Sequence, residues 1–309
     1  MNVLSLFDGM SCGQIALNKA GIKYGNYYAS EIKKSAIKVT KKNYPNTIHI
    51  GDICKIHATD LPKIDLLIGG SPCQDFSIAN MHGRKGLAGQ KSKLFYEYLR
   101  LLNECKPKYF LLENVVMTDY YKNQLDNYLK VCGFYINSSL VSYQNRERIY
   151  WTNIPNTTKP TDKNISFQDY KETNNNKIKK YKLKKTKRHK QMWNNGKGRT
   201  PTKLNEYEDR KSCLNATTEK KVHCLTRSQQ KSPNSGLIAY KDFCRTLTRK
   251  ELEMAQTVPV GYTNCLTYRQ AADVLGDGWT IDVIVHIFKN INKEQKHDIY
   301  KEYYQQILL

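Results

Sequence analysis

The stretch Val3-Leu-Ser-Leu-Phe7 is followed by Asp8-Gly-Met-Ser-Cys-Gly13 and then by an amphipathic pattern from Gln14 to Ala20. An apolar run, a glycine-containing turn and a helical period in that order predict one strand–helix unit. A second unit follows, with Tyr27-Tyr-Ala-Ser30 as its apolar run and a helical pattern that begins at Lys33. Repeated units of this kind are typical of a parallel sheet covered by helices on both faces, so we predict an α/β fold.

Three more apolar runs predict further buried strands of the same sheet. They are Ile64-Asp-Leu-Leu-Ile68, Tyr109-Phe-Leu-Leu112 and Arg148-Ile-Tyr-Trp151, each bounded by polar or turn-prone residues. In open α/β sheets, ligands bind outside the carboxyl ends of the strands. We therefore expect the functional residues in the segments that follow these strands.

The composition changes after Trp151. Residues 153–234 are rich in Asn, Lys, Thr and Ser, and nine of the fourteen residues from Lys177 to Lys190 are Lys or Arg. This pattern predicts a smaller, basic, loop-rich domain, although a solvated insert without fixed structure has the same composition.

Helical periods return near the end of the chain. One runs from Arg245 to Gln256 with Thr248 as its cap, and the other runs from Trp279 to Ile291. We expect this last segment to pack back on the first domain. The predicted division is a first domain at 1–155, a basic domain at 156–243 and a return segment at 244–309.

Charge and cysteine usage restrict the class of partner. The 309 residues carry a formal net charge of +22, which favours a polyanionic partner; nucleic acid is the first candidate and an anionic membrane surface the second. The sequence has neither a long apolar run nor a signal-peptide pattern, so a cytoplasmic protein is expected. The nine cysteines are dispersed without a CxxC pair, which predicts reduced thiols and no metal site.

Three candidate ligand groups follow the first two predicted strands and a further candidate strand that ends at Gly51-Asp-Ile53. The turn from Phe7 to Gly13 lets a ligand approach the backbone and a helix N-terminus, and the acids Glu31 and Asp52 follow the next two strands. Each feature alone also fits a tight turn or a helix cap. Together they favour a cofactor that contains a nucleoside.

The most specific segment is Ile68-Gly-Gly-Ser-Pro-Cys-Gln-Asp-Phe-Ser77, which places Cys73 on a constrained turn after a buried strand. Glu113-Asn-Val115 ends the next strand, and Gln144-Asn-Arg-Glu-Arg148 brings two arginines to the same face of a strand. An inert cysteine, a salt-bridged acid and a solvated basic edge are the ordinary alternatives for these three features.

The order of these segments resembles the cytosine-C5 DNA methyltransferase family. The matching segments are the turn from Phe7 to Gly13, Pro72-Cys73-Gln74, Glu113-Asn114-Val115, the run from Gln144 to Arg148, and Gly276-Asp-Gly-Trp-Thr280 near the end. The match covers residues 1 to about 155 and 243 to 290, and it is of the prokaryotic or phage type, with similarity to the eukaryotic de novo branch. Ser11-Cys12, Val141-Ser-Tyr143 and Asp277 depart from the usual family pattern.

The resemblance implies a Rossmann-like S-adenosylmethionine-dependent methyltransferase fold with a smaller target-recognition domain at 156–243. It implies transfer of a methyl group from S-adenosylmethionine to C5 of a flipped-out cytosine, with Cys73 as the nucleophile and Glu113 as the group that activates the base. Arg146 and Arg148 are the other catalytic candidates. The implied cofactor-binding residues are Phe7, Asp8, Gly9, Glu31, Ile32, Asp52, Ile53, Pro72, Leu94, Asp277, Gly278 and Trp279, with Ile32 and Ile53 on the two sides of the adenine.

The implied partner is double-stranded DNA, bound by a monomer, and a cognate restriction endonuclease is a further partner of such enzymes. The glycine-rich, basic stretch from Ser77 to Lys93 is expected to close over the DNA, with a plain surface loop as the alternative. Two rival functions remain: a tRNA cytosine methyltransferase, whose Cys-Phe-Thr tripeptide is similar to Cys224-Leu-Thr226, and a nucleic-acid-binding protein without catalysis.

Overall fold

A large sheet forms the centre of the protein. The structure, a computed structural model, describes residues 1–72, 93–183, 216–227, 235–240 and 243–291. Seven strands pair in the order β3-β2-β1-β4-β5-β7-β6. Their bounds are Val3–Leu6 (β1), Tyr27–Ser30 (β2), Ile48–His49 (β3), Leu66–Gly69 (β4), Tyr109–Val115 (β5), Phe134–Asn137 (β6) and Glu147–Thr152 (β7).

Strand β7 is the exception to a parallel arrangement. Strands β1 to β5 pair in parallel, whereas β7 runs antiparallel to both β5 and β6. The predicted parallel sheet is therefore correct for the first half and wrong for β7. The reason is the short connection at 138–146, because a parallel crossover needs about a dozen residues or more.

Helices cover both faces of this sheet, as predicted. One core cluster includes Ile15 and Ile284, which belong to two helices on one face of the sheet. A second cluster includes Phe95 and Leu125, which belong to two helices on the other face. The helices are Cys12–Lys19 (α1), Lys34–Asn43 (α2), Lys93–Cys105 (α3), Asp119–Leu129 (α4), Asn175–Ile178 (α5), Arg249–Ala255 (α6), Tyr268–Asp277 (α7) and Ile281–Phe288 (α8).

The predicted return segment lies against the first domain in the structure. Helix α8 contacts α1, and Lys19 of α1 forms an ion pair with Asp282 of α8. No helix in the described ranges is both long and apolar enough to cross a bilayer.

A small antiparallel sheet lies outside the large one. It consists of Lys182–Leu183 (β8), Ile238–Ala239 (β9) and Cys244–Arg245 (β10), in the order β8-β10-β9. The described part of the basic domain is joined to the first domain by backbone hydrogen bonds, of which Val222 N–H to Tyr143 O is 2.7 Å long. Most of the Lys177–Lys190 run lies outside the described residues.

Thr248 caps helix α6 as predicted, and the cap is part of a buried ion pair. Glu251 accepts hydrogen bonds from Thr248 N–H and from both terminal nitrogens of Arg245, at 2.7 and 2.9 Å. Both charged side chains are fully buried. Arg245 therefore depends on Glu251 for compensation of a charge that has no access to water.

Replacing Glu251 with Gln is expected to lower the free energy of unfolding by about 3 kcal/mol, because it leaves the Arg245 charge buried without an anion. Urea unfolding measures the change. The matched control is Glu104→Gln, which breaks a solvent-exposed pair with Arg100 and is expected to cost less than about 1 kcal/mol. Equal effects of the two substitutions would contradict this account of the buried pair.

Candidate active site

The loop after β1 and the acid after β2 form one side of the site. Phe7, Gly9 and Ser11 all have positive φ angles, so the chain turns sharply before α1 begins. Gly9 N–H donates to Glu31 Oε2 at 2.8 Å. The other oxygen of Glu31 accepts from the backbone N–H groups of Ile32 and Lys33, at 2.8 and 2.7 Å. These bonds fix the Glu31 carboxylate against the turn.

Asp8 supports this loop from inside the protein. Its carboxylate is buried and accepts hydrogen bonds from the hydroxyls of Ser11 and Tyr27. Burial raises the pKa of Asp8 to about 6, although the hydroxyl of Ser11 counteracts part of this shift. Asp8 N–H also donates to Ser30 O at 3.0 Å, which ties the loop to β2. Asp8 therefore shapes the turn through its interior contacts.

The candidate adenine contacts differ in their exposure. The Ile32 side chain is 72% exposed, whereas Ile53 is 4% exposed and belongs to the second core cluster. Asp52 caps the short 3-10 turn that contains Ile53, by accepting from Cys54 N–H at 3.1 Å. Ile32 thus offers an apolar surface to a ligand, whereas Ile53 belongs to the protein interior. Phe7, Pro72 and Leu94 are partly buried.

The chemistry of Glu31 fits a ribose. A carboxylate has about four acceptor positions, and the three backbone N–H groups described above use three of them. The remaining position on Oε2 is suited to a hydroxyl donor, and the exposed side chain of Ile32 is its neighbour in sequence. This edge of the sheet is thus suited to a nucleoside.

Glu113 is the central acid of the other side of the site. It lies on β5, is 8% exposed, and accepts from two side chains. Arg148 Nε lies 3.0 Å from its Oε1, and Trp279 Nε1 donates to its Oε2 at 3.2 Å. These two donors, from β7 and from the residue that precedes Thr280 and α8, hold the carboxyl in one orientation.

The neighbouring Asn114 connects Glu113 to the candidate nucleophile segment. Its Nδ2 donates to Ser71 Oγ at 3.0 Å, which joins the ends of β5 and β4. Pro72 follows Ser71, and Cys73, with the predicted closing loop, lies outside the described residues. The described part of the segment therefore ends next to Glu113 along the same sheet edge.

The side chain of Arg146 joins three parts of the chain. Its Nη1 donates to Leu225 O at 2.8 Å, and its Nη2 donates to Gly276 O and Gly278 O at 3.2 and 3.0 Å. These carbonyls flank Asp277 and precede Trp279. Arg146, predicted as a catalytic candidate, thus holds the basic domain and the Trp279 turn against the end of the sheet.

Asp277 forms an ion pair with Lys33, which lies close in sequence to the candidate cofactor residues Glu31 and Ile32. Lys33, two residues after Glu31, pairs with Asp277 at 2.9 Å and with Asp273 at 2.6 Å. Arg227 of the basic domain also pairs with Asp273, at 3.2 Å. Asp277 therefore takes part in an ion-pair cluster that connects three segments.

Cys224 is a site residue that the sequence analysis did not assign. Its sulfur lies 3.4 Å from Arg146 Nη1 and 3.7 Å from Arg148 Nη2. The signal in the sequence is Cys224-Leu-Thr226 itself, which is similar to the Cys-Phe-Thr tripeptide mentioned above. Cys224 and Arg146 are 78 residues apart in the sequence, and the contact between them cannot be predicted without the fold.

Gly70 sits directly behind the Glu113 side chain. A Cβ atom at this position would lie 3.0 Å from Trp279 Nε1 and 3.1 Å from Glu113 Oε2. Both distances are shorter than ordinary contacts, so the hydrogen-bonded pair would have to move by a few tenths of an ångström. Glycine is required here by the close approach of the site side chains.

Replacing Gly70 with Ala is expected to lower the rate of a reaction at this site about tenfold, because displacement of groups that contact the reacting atoms is costly to rate. Gly25→Ala is the matched control, since the nearest atoms to its added Cβ are 3.9 Å away. Unfolding in urea and steady-state rates together separate the site effect from a loss of folded protein. Unchanged turnover in the Gly70 variant would show that the Glu113–Trp279 pair tolerates displacement.

Comparison with known proteins gives a family match. The description of the matching family is C-5 cytosine-specific DNA methylase, and the match covers residues 1–293. The orphan methyltransferase M.Rho11sI of Bacillus phage rho11s is 37% identical over 163 residues, covering 48% of this chain and 32% of that protein. The type II methyltransferase M.NgoBV of Neisseria gonorrhoeae is 34% identical over 171 residues, covering 48% of this chain and 40% of that protein. The matched region spans about a third to two fifths of these relatives.

Solved structures agree in fold. The Entamoeba histolytica methyltransferase EhMeth has a TM-score of 0.74 at 15% identity, covering 95% of this chain and 99% of that one. The S. pombe Dnmt2 methyltransferase has a TM-score of 0.68 at 17% identity, covering 95% of this chain and 100% of that one. These likenesses confirm the predicted methyltransferase fold.

Proposed function

The chain belongs to the C-5 cytosine-specific DNA methylase family, and from that premise we propose that it transfers a methyl group from S-adenosylmethionine to C5 of a cytosine in DNA. The main support for the proposal is the burial of Glu113 and its two hydrogen-bond donors. A nearly buried carboxyl, oriented by Arg148 and Trp279 at the end of β5, is suited to meet the polar edge of one flat base.

The chemical step begins with the thiolate of Cys73. C5 of cytosine is a weak nucleophile, so Sγ adds to C6, and the electrons of the C5–C6 double bond move towards N3 and C5. Glu113 meets N3 and supplies the proton that neutralises the charge arriving there. C5 then accepts the methyl group and loses its own proton, and the returning electrons restore the C5–C6 double bond and expel the Cys73 thiolate, while N3 returns its proton to Glu113.

Arg148 has a supporting role in this scheme. Its Nε contact with Oε1 and the Trp279 contact with Oε2 leave Glu113 little freedom to rotate away from the base. Arg148 also carries a positive charge next to the pyrimidine, which favours electron density on the ring. Arg146 acts further from the base, through the backbone carbonyls that it binds.

The cofactor is assigned to the adjacent sheet edge. S-adenosylmethionine, when bound, supplies the methyl group. Glu31 would accept from a ribose hydroxyl, Ile32 would cover the adenine, and the turn at Gly9 would let the ligand approach the backbone. Trp279 contacts Glu113, and a Cβ atom at its neighbour Gly278 would lie 3.0 Å from the Met10 side chain in the turn after β1, so this segment reaches both halves of the site.

DNA is the proposed substrate because of the family description, the phage and type II methyltransferases among the relatives, and the net charge of +22. A base inside a duplex exposes neither face to Cys73, so the cytosine must flip into the pocket at a cost of a few kcal/mol. The basic domain is the proposed source of phosphate and base contacts.

Transfer of labelled methyl groups from S-adenosylmethionine tests this function. The purified full-length chain is incubated with unmethylated genomic DNA and, in parallel, with bulk tRNA, and both products are sequenced for 5-methylcytosine. We expect label in DNA at one short recurring sequence. Label in tRNA alone would assign the same chemistry to the other substrate, and no label in either would contradict a methyltransferase.

A further inference from the structure

The cluster around Arg148 contains two acidic groups. Glu113 Oε1 lies on one side of the guanidinium, 3.0 Å from Nε, and Cys224 Sγ lies 3.7 Å from Nη2. The third guanidinium nitrogen, Nη1, donates to Glu147 O at 2.7 Å. All three nitrogens of Arg148 thus have a partner, and one of these partners comes from the basic domain.

Arg146 meets the same sulfur. Its Nη1 lies 3.4 Å from Cys224 Sγ while it also donates to Leu225 O. The segment itself is fixed, because Leu225 N–H donates to the buried Gln144 Oε1 at 2.7 Å. The sulfur therefore lies between two guanidinium groups and 3.4 Å from Leu225 O, which accepts a hydrogen bond when the thiol carries its proton.

The charges in this cluster do not balance if the thiol is neutral. Arg146 and Arg148 contribute two positive charges, and Glu113 contributes one negative charge when it is ionised. Arg227, three residues after Cys224, has its own partners in Asp273 and Asp277. Among the described residues, Tyr150 and Cys12 are the other acidic groups that interact with these arginines, and burial raises the pKa of both, so Cys224 is the group placed to supply a second negative charge.

The electrostatics of the thiol agree with that balance. Burial alone raises the pKa of a cysteine, but the charges of Arg146 and Arg148 and their hydrogen bonds to Sγ outweigh burial here, so the pKa of Cys224 lies below its ordinary value. Cys105, also partly buried, has its pKa raised by burial and by Glu104. The two cysteines therefore differ in the sign of the shift.

We propose that Cys224 is a positioning residue of the methyltransferase site: a thiolate from the basic domain that holds Arg148 in place when Glu113 takes up a proton. The inference rests on the proposed function. In that reaction Glu113 must carry a proton for N3, and a protonated Glu113 no longer provides an anion for Arg148. Cys224 remains as the anionic partner, so Arg148 keeps its orientation through the step.

The ionisation of Cys224 is measured without any turnover. The full-length chain, with neither DNA nor cofactor, is alkylated with iodoacetamide between about pH 6 and about pH 10, and each cysteine is followed by peptide mass spectrometry. The thiolate attacks the carbon, an S–C bond forms and iodide leaves. We expect the half-maximal rate of Cys224 at least about one pH unit below that of Cys105, and an upward shift in Arg148→Met. Coincident profiles of the two cysteines would overturn the proposal.

The positioning role is measured by three variants in the methyl-transfer assay. Cys224→Ser, which lacks the charge, is expected to reduce kcat about tenfold with little change in the KM for S-adenosylmethionine, and the loss should grow as the pH is lowered. Cys224→Asp restores the charge and should recover activity to within about threefold of the wild type. Cys105→Ser is the control.

A serine variant with the rate and pH profile of the wild type would contradict the role, whatever the alkylation shows. If no variant, including the wild type, transferred methyl groups, the proposed function would fail. The alkylation profile would still decide whether Cys224 is a thiolate, so the two failures are distinguishable.

Discussion

Replacing Cys73 with serine is expected to reduce methyl transfer by at least about 1,000-fold. A serine hydroxyl is far less ionised than a thiol at neutral pH and is a weaker nucleophile towards C6, so the step that activates C5 is lost. Binding of DNA should persist, because the substitution leaves unchanged the positive charges that we propose contact phosphate. The measurement is single-turnover methyl transfer on genomic DNA, with DNA binding followed on the same preparation.

The control for this variant is Cys105→Ser, which removes a partly buried thiol at the end of α3. It should leave the rate within about twofold of the wild type. A Cys73 variant that methylates DNA at the wild-type rate would rule out a covalent step at this residue.

Replacing Glu113 with Gln is expected to lower methyl transfer by about 100-fold to about 10,000-fold. Gln cannot supply the proton to N3. It also fits the site badly, because the two oxygens of Glu113 each accept from a donor, Arg148 Nε and Trp279 Nε1. The amide of Gln offers one acceptor and one NH₂ group, so one of these donors would face another donor.

Single-turnover rates with saturating DNA and cofactor measure this effect, and Glu104→Gln on the outer end of α3 is the control, expected to retain the wild-type rate. Urea unfolding reports any loss of folded protein. A rate within about threefold of the wild type in the Glu113 variant would show that proton supply to N3 does not come from this residue.

The sequence predicted the strands of the first half well because their signals are local. The apolar runs Val3–Phe7 and Ile64–Ile68 are each followed by turn residues, and the structure has completely buried strands there, at Val3–Leu6 and Leu66–Gly69. Strand-end acids such as Glu31 and Glu113 were located for the same reason. Position at the end of a buried parallel strand places a side chain at the common edge of the sheet.

Contacts between distant segments were not predictable in the same way. Trp279 and Glu113 are 166 residues apart, and Cys224 meets Arg148 across 76 residues. No periodicity or spacing encodes such pairs, because they depend on how the return segment and the basic domain pack against the sheet. The antiparallel direction of β7 was missed for a related reason, since an apolar run has the same appearance in either direction.

The residues on the cofactor side show a third limit of prediction from the sequence, which concerns side-chain direction. Asp8 and Glu31 are both acids next to a turn, yet the Asp8 carboxylate faces the interior while Glu31 binds the backbone of the turn itself. Ile32 and Ile53 each follow a strand-end acid, but Ile32 is 72% exposed whereas Ile53 is 4% exposed. Side-chain direction within a loop was not accessible from residue type alone.

Covalent trapping tests the central claim, a Cys73 adduct with cytosine in DNA, most directly. DNA of mixed sequence is made with 5-fluorocytosine in place of cytosine, so that the C5 substituent cannot leave as a proton after methylation and the enzyme cannot eliminate. With S-adenosylmethionine present, we predict a complex that survives denaturation and maps by mass spectrometry to the peptide containing Cys73, absent from Cys73→Ser. A wild-type protein that methylates ordinary DNA but forms no adduct, or forms one at another residue, would contradict the account.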